Sequence, residues 1–316
     1  MHYLEFERPI AELEGKIVEL RKLAEEDPSM DIDGEVASLQ SRAGTLVANT
    51  YARLTPWQKV QVVRHPGRPH FLDYARQILE DFTPLAGDRS FGEDQAVVAG
   101  LARFRGRPVA FIGQEKGNDT QSRIKHNFGS AMPEGYRKVV RIFELADRFG
   151  LPVLSFCDTA GAYPGVSAEE RGQAEAIARS IQAGLSIKTP FIATIIGEGM
   201  SGGAIAIAAA SRVYMLEHAI YSVISPEGCA SILWRRADKA QEAATALKIT
   251  AQDLLELKII DGIVEEPVGG AHRAPAETIE AVADQIAASL KEMDGISGEE
   301  LLRQRRAKLL GMGRNL

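Results

Sequence analysis

The sequence predicts an α/β fold with a mainly parallel sheet, preceded by a helical segment. Two observations carry this prediction. From Pro133 onward apolar strands and amphipathic helices alternate, which is the signature of stacked βαβ units. Within that stretch, two glycine-rich turns (residues 158–165 and 197–203) each follow an apolar strand and lie about one βα unit apart. Glycines at the end of a buried strand let the backbone approach a ligand and aim free N–H groups at it.

Taken in order, the first eighty or so residues read as helical. Ile10, Leu13, Ile17, Leu20 and Leu23 fall three and four apart on one helix face, and Val36, Leu39, Leu46 and Val47 continue the pattern. Thr55-Pro56 has the form of a cap followed by proline at the first helical position, and residues 71–82 suggest another helix. Residues 1–84 form an interaction or clamp segment on this reading. Residues 95–104 and 108–113 are β-rich and joined by a turn at 105–108.

Pro133 opens a helix carrying Val139, Val140, Ile142, Phe143, Ala146 and Phe149, and Gly150 stops it. There follow a strand at 152–157, the first turn, a helix at 168–185, a strand at 190–196, the second turn and a short apolar helix at 204–210. Residues 213–216 and 219–223 are further strands. Ser225-Pro226-Glu227 starts another helix, Thr250 and Asp253 form a capping box, and Asp261-Gly262 turns the chain into Ile263-Val264. Ile279, Val282, Ile286 and Leu290 mark a late helix. The main domain spans 85–295, and the tail at 296–316, with Arg303, Arg305, Arg306 and Lys308, reads as a solvated helix end.

Composition narrows the function classes. Hydrophobic content of 45% and charged content of 25% are those of a soluble globular protein, and a net charge of −6 gives no pull toward nucleic acid or anionic membrane. No apolar run approaches the roughly 20 residues that span a bilayer. The N-terminal residues lack a signal-peptide pattern. Only Cys157 and Cys229 are present, with neither CxxC nor HExxH, which argues against a disulfide framework or a zinc site and for a reducing cytoplasm.

The second turn supports three readings. Gly197, Gly199 and Gly202 have dinucleotide-fingerprint spacing, with Glu217 about 20 residues on, where a ribose-binding acid sits. Gly199, Ser201 and Gly203 equally match a nucleophile elbow, with His218 and His272 as downstream histidines and Asp238, Asp253 and Asp261 among the acids. The third reading takes both turns together: N–H groups at Gly202 and Gly203, at the head of a helix, and at Gly161 or Ala162 grip one developing oxyanion. It needs neither a titratable side chain nor a metal.

Several longer stretches carry a resemblance. Residues 134–138, 158–165, 168–173, 197–203 and 222–234, together with 85–89 and 269–273, closely resemble the carboxyltransferase α subunits of bacterial-type, multi-subunit acetyl-coenzyme A carboxylase. The match runs over nearly the whole chain. It implies a crotonase-like spiral of ββα units with an N-terminal helical extension packed against a partner. It also implies carboxyl transfer from carboxybiotin, borne on a biotin carboxyl carrier protein, to acetyl-CoA, giving malonyl-CoA in the first committed step of fatty-acid synthesis.

The implied assembly is α₂β₂, with a zinc-ribbon β subunit that holds the acetyl-CoA thioester. ATP use would lie on a separate biotin carboxylase, and no metal, nucleic acid or membrane is expected for this chain. Carried onto this sequence, Gly202 and Gly203 are the backbone oxyanion donors, and Gly161, Ala162, Tyr163, Gly165, Gly199 and Ser201 face the substrate. Two departures stand out. Ala160 occupies a position where the family has proline, and Met200 one where glycine is common; Met200 is tolerable if its φ stays negative.

A different class of reading makes the chain a catalytically silent scaffold for the β subunit. Lys116, Arg123, Lys125, His126, Arg137, Lys138 and Arg141 form a basic cluster that either steers anions or makes local ion pairs. Cys157 reads as core rather than reactive, Tyr163 as pocket wall or turn brace, and Glu198 as an orienting group for the second turn.

Overall fold

A computed structural model describes residues 2–27 and 32–314. The N-terminal segment contains α1 (Arg8–Glu26), α2 (Asp33–Tyr51), α3 (Pro56–Val63) and α4 (Phe71–Ile78). The predicted cap is present: Thr55 accepts from the Gln58 N–H, and Pro56 occupies the first turn of α3. The hairpin α1–α2 has its own thin core of Ile17, Val36 and Ala43, separate from the main one. Its root, through Ile10, Val47 and Tyr51, packs on Val62 of α3.

The expected helix at 71–82 ends at Ile78, and β1 (Glu80–Pro84) follows. This is an edge strand with little burial, so it lacks the apolar alternation that marks a strand in sequence. The hairpin β2 (Val97–Phe104) and β3 (Arg107–Gln114) forms as expected, in antiparallel register from Val97 opposite Gln114 to Phe104 opposite Arg107. After the short α5 (Thr120–Lys125), Pro133 opens α6 (Pro133–Phe149), and Gly150 stops it in the left-handed conformation with φ 66°.

Alternation then sets in: β4 (Val153–Thr159), α7 (Val166–Glu170), α8 (Gln173–Gly184), β5 (Phe191–Met200), α9 (Ser201–Ala208) and β6 (Arg212–Leu216). The predicted helix at 168–185 is two helices, broken at Gly172 with φ 81°. The remaining elements are β7 (Ile220–Ser222), α10 (Pro226–Trp234), α11 (Ala240–Ala246), α12 (Ala251–Glu256), β8 (Gly262–Val264), α13 (Pro275–Glu292) and α14 (Gly298–Gly311).

One sheet runs in the order β1-β2-β3-β4-β5-β6-β8, parallel from β3 onward. All ten residues of β5 are buried. Its first half pairs with β6 and its last three residues pair with β7, so its end projects beyond the sheet proper. The β4–β5 register slips between Cys157 and Thr159, at Asp158. Residues 158–159 and 197–200, read from the sequence as turn, are the last residues of β4 and β5, because Thr159 pairs with Gly199 and residues 198–200 pair with β7. Both glycine-rich segments therefore leave neighbouring parallel strands at the same end of the sheet.

The tail departs from expectation. Arg305 is fully buried, donating to Ser211 Oγ (2.9 Å) and to the carbonyls of Gly184 (2.9 Å), Ile187 (2.7 Å) and Thr189 (2.7 Å). Lys308 pairs with Asp261 at 2.7 Å. The arginine run thus has one inward member, which fastens α14 to the loop between α8 and β5.

Candidate active site

The two turns touch. A Cβ on Gly203 would lie 2.8 Å from the Ala162 nitrogen, 3.0 Å from the Gly161 carbonyl carbon and 3.1 Å from the Tyr136 hydroxyl. Only glycine permits this approach. At the head of α9 the N–H groups of Gly202 and Gly203 have no partner among the described residues, as the first turn of a helix requires. The Ala162 N–H is likewise unpartnered. The sequence offers Gly161 or Ala162 as the donor from the first turn, and of the two only Ala162 has an unpartnered N–H among the described residues. Gly161, at φ 131°, gives its N–H to Thr159 Oγ1 at 3.0 Å, and Thr159 is anchored on the Gly129 carbonyl at 2.7 Å.

Other glycines of the turns serve packing. A Cβ on Gly165 would lie 2.3 Å from the Tyr163 ring, and one on Gly199 would lie 3.0 Å from the Tyr221 ring. Tyr163 therefore packs its ring on the backbone of its own turn at Gly165. Its N–H is held by the Ala131 carbonyl at 2.9 Å, and Gln173 Nε2 donates to both the Ala131 and the Tyr163 carbonyls, at 2.8 and 2.9 Å. Met200 keeps a negative φ of −112°, and Ser201 takes the positive φ, 55°, at the strand-to-helix corner.

Behind the turns runs a chain of buried charges. Asp158 accepts from the Glu198 N–H at 2.9 Å, pairs with Lys116 at 2.7 Å and meets His70 Nδ1 at 3.2 Å. Lys116 also pairs with Glu198 at 2.7 Å, and Glu198 with Arg64 at 2.8 Å. Burial opposes ionisation of Asp158, but Lys116 and His70 outweigh it and hold the carboxyl well below the usual carboxylate range. Burial likewise opposes Glu198, and Lys116 and Arg64 reverse the effect. A cavity of about 320 Å³ lies over this network, bounded by Arg64, His70, Lys116, Arg123, Phe128 and Ala160 among others.

Gln114 is the group that sequence reasoning missed. This fully buried residue at the end of β3 donates from Nε2 to the Gly203 carbonyl at 2.8 Å and accepts the Asp158 N–H on Oε1 at 3.2 Å. No local pattern marks it, because its partners are 44 and 89 residues away.

The two alternative readings of the second turn find no support. Where a dinucleotide pyrophosphate would approach Gly197, the Asp158 carboxylate is already present, 2.2 Å from where a Cβ would stand. Glu217 is engaged by the Glu266 N–H at 3.3 Å. The Ser201 hydroxyl makes no hydrogen bond among the described residues. His218 and His272 belong instead to a ring cluster with Tyr51 and His65, in which His65 and His272 stack at 3.9 Å. Burial lowers the His218 pKa to about 4. Burial and the neighbouring His65 lower that of His272 to about 3.

The basic cluster resolves mostly into local contacts. Lys138 is buried against Glu93 and the Asp94 carbonyl, Arg137 lies 3.7 Å from Asp88, and Arg141 holds the Ala86 and Gly87 carbonyls. Cys157 is fully buried, and burial pushes its thiol pKa up, as a core residue requires. Among the described residues, no group of three or more His, Cys, Asp or Glu side chains is placed to hold a metal ion.

Comparison with known proteins accords with this geometry. Residues 3–313 match the family described as acetyl co-enzyme A carboxylase carboxyltransferase-like. Proteins named acetyl-coenzyme A carboxylase carboxyl transferase subunit alpha are similar over the full length of both chains: 64% identical in Rhizobium johnstonii and 63% in Agrobacterium fabrum. Among solved structures, transcarboxylase 12S superposes with a TM-score of 0.58 at 18% identity, covering 75% of this chain and 44% of that one. A Pseudomonas malonate decarboxylase hetero-tetramer gives 0.56 at 16%, covering 69% and 85%. These likenesses carry the fold, which is the crotonase-like one that the resemblance implies. Full-length identity, the family match and the shared fold agree: the chain belongs to the acetyl-coenzyme A carboxylase carboxyltransferase α-subunit family.

Proposed function

We propose that this chain supplies the biotin side of a split carboxyltransferase. Together with a zinc-ribbon β subunit, as α₂β₂, it moves the carboxyl group of carboxybiotin on a carrier protein to acetyl-CoA, giving malonyl-CoA for fatty-acid synthesis. The supporting observation is the contact of the two turns, with three unpartnered N–H groups, at Gly202, Gly203 and Ala162, around it. Carboxybiotin supplies the transferable carboxyl group. Gly202 and Gly203, with Ala162 opposite, hold the ureido oxygen as charge develops on it, and the dipole of α9 adds to that grip.

Such donors need no reorganisation at the moment of reaction, and losing one typically costs roughly 10²–10³ in rate. Ser201 and Tyr163 set the shape of the two corners rather than acting on bonds. Asp158 and Glu198 are unsuited to take the acetyl-CoA methyl proton, since each is locked in ion pairs that hold it ionised and weakly basic.

Residues 1–84 are assigned to docking the β subunit, and α1 presents Val18 and Leu23 outward in support. No described helix is long and apolar enough to cross a membrane. The cytoplasm, beside biotin carboxylase and the carrier protein, is the setting proposed. The test is carboxyl transfer between malonyl-CoA and a free biotin derivative, using this chain alone, the β subunit alone and both together. Transfer only in the mixture is expected; a stable complex without transfer overturns the proposal.

A further inference from the structure

We infer that Gln114 is a positioning residue that sets the relative placement of the two donor turns, an inference that rests on the oxyanion reading above. The second turn is tied to the first at both of its ends. At its start, the Glu198 N–H donates to the Asp158 carboxylate at 2.9 Å. At its far end, the Gly203 carbonyl accepts from Gln114 Nε2 at 2.8 Å, while Gln114 Oε1 takes the Asp158 N–H at 3.2 Å. Asp158 thus fixes one end through its side chain and the other through its backbone, with Gln114 as the intervening link.

The chemistry of the link is specific. One side must donate, to a carbonyl; the other must accept, from an N–H. A primary amide does both at once, and an ionised carboxylate or a thioether does not. The placement matters because Gly203 packs directly on the first turn: a Cβ there would lie 2.8 Å from the Ala162 nitrogen. Turning the Gly203 peptide would swing the head of α9 away from the Ala162 N–H. Buried satisfied amides of this kind hold a single arrangement where an apolar contact would allow several. Gln114 itself stays behind the turns, fully buried, and touches no reacting atom.

The experiment compares Gln114→Met and Gln114→Glu with the unsubstituted chain in the complex with the β subunit. Steady-state transfer is read together with amide hydrogen exchange over residues 158–163 and 197–204. Met keeps the bulk and removes both hydrogen bonds. The expected result is a fall in kcat of about 10²-fold, the effect of misplacing an oxyanion donor, with KM within about threefold, and faster exchange in both segments.

Gln114→Glu adds a signature that simple loss of packing would not give. Its carboxyl would meet the Asp158 N–H, and the charged groups nearest along the network are the Asp158 carboxylate, the Lys116 ammonium paired with it, His70 on Asp158 and Glu198 on Lys116. In its neutral acid form it can donate to the Gly203 carbonyl and accept from the Asp158 N–H. The activity of Q114E relative to the unsubstituted chain therefore rises as pH falls.

A Met variant with unchanged kcat and unchanged exchange overturns the inference, as does a Q114E activity ratio independent of pH. If the unsubstituted complex transfers no carboxyl group, the functional reading fails. The positioning role is then decided by exchange alone: acceleration in both segments upholds it, and unchanged exchange overturns it. Should the Met variant not fold, the Q114E arms decide.

Discussion

Replacing Gly203 with alanine, beside the same change at Gly202, tests the oxyanion reading at its narrowest point. At position 203 the new methyl group would lie 2.8 Å from the Ala162 nitrogen, against 3.4 Å for the near limit of ordinary contact. The turns must therefore separate by about 0.6 Å, because the methyl group is fixed to the backbone and the atoms it meets at 2.8 and 3.0 Å are themselves backbone. Overpacking of this kind costs about 1–3 kcal/mol, partly offset by the better helix propensity of alanine. The larger effect is on rate, since a misplacement approaching 1 Å at a reacting centre costs on the order of 10²-fold. At position 202 the methyl group meets only the Ile177 side chain, at 3.4 and 3.6 Å, so nothing has to move.

The expected outcome is thus asymmetric. Gly203→Ala loses about 10² in kcat while still assembling with the β subunit, and Gly202→Ala stays within about threefold of the unsubstituted chain. Malonyl-CoA decarboxylation or carboxyl transfer to a biotin derivative gives the rate, and size-exclusion chromatography gives the assembly. Equal activity of the two variants refutes the reasoning, and full activity of Gly203→Ala favours the silent scaffold.

Three further outcomes follow from the same contacts. Gly197→Ala drives a methyl group into the Asp158 carboxylate, breaks the buried pairing with Lys116 and costs about 3–5 kcal/mol, read as a fall in Tm or denaturant midpoint. Arg305→Met leaves the carbonyls of Gly184, Ile187 and Thr189 without donors and costs several kcal/mol, roughly 1–3 for each buried group, in the same assay.

The third concerns pH. His218 and His272 have folded pKa values depressed to about 4 and about 3, so the unfolded chain binds more protons than the folded one once pH falls below about 6.5. Their contribution is full above that value and is lost as pH falls toward 4 and 3. Glu266, held down to about 2 by Arg68 against the opposing effect of burial, adds a second loss below about 4.5. Tm should be flat above neutrality and decline from about pH 6.5, and His272→Phe should flatten the upper part of that decline. A Tm unchanged down to pH 5 contradicts the assignment.

Legibility in the sequence followed the range of each interaction. Pro133 and Gly150 bound α6 in sequence and in space, because caps act within one helical turn. The placement of both glycine turns was readable because parallel neighbours in a sheet release their loops at the same end. By contrast, β1 has no apolar alternation to read, and Gly172 breaks a helix that its flanking residues would continue. Gly161 was offered as a donor because nothing in the bare motif says that the Thr159 hydroxyl captures its N–H. Gln114 and Arg305 were invisible for a deeper reason. Each meets partners dozens of residues away, and a lone glutamine or one arginine in a basic helix has the same local signature whether it is buried or solvated.

The Arg305 contact also has a temporal side. The carbonyls of Gly184, Ile187 and Thr189 are synthesised 116 to 121 residues before the side chain that satisfies them. At the pace of translation, about 5–20 residues per second, that is an interval of several seconds at least. Throughout it the loop ahead of β5 must keep its polar groups hydrated, so the entrance to the central strand stays wet while the surrounding helices are already available to pack. Burial of that loop is therefore a late event in the life of the nascent chain. A polypeptide halted before residue 305 should remain protease-sensitive near residues 184–189, even with every strand of the sheet already made.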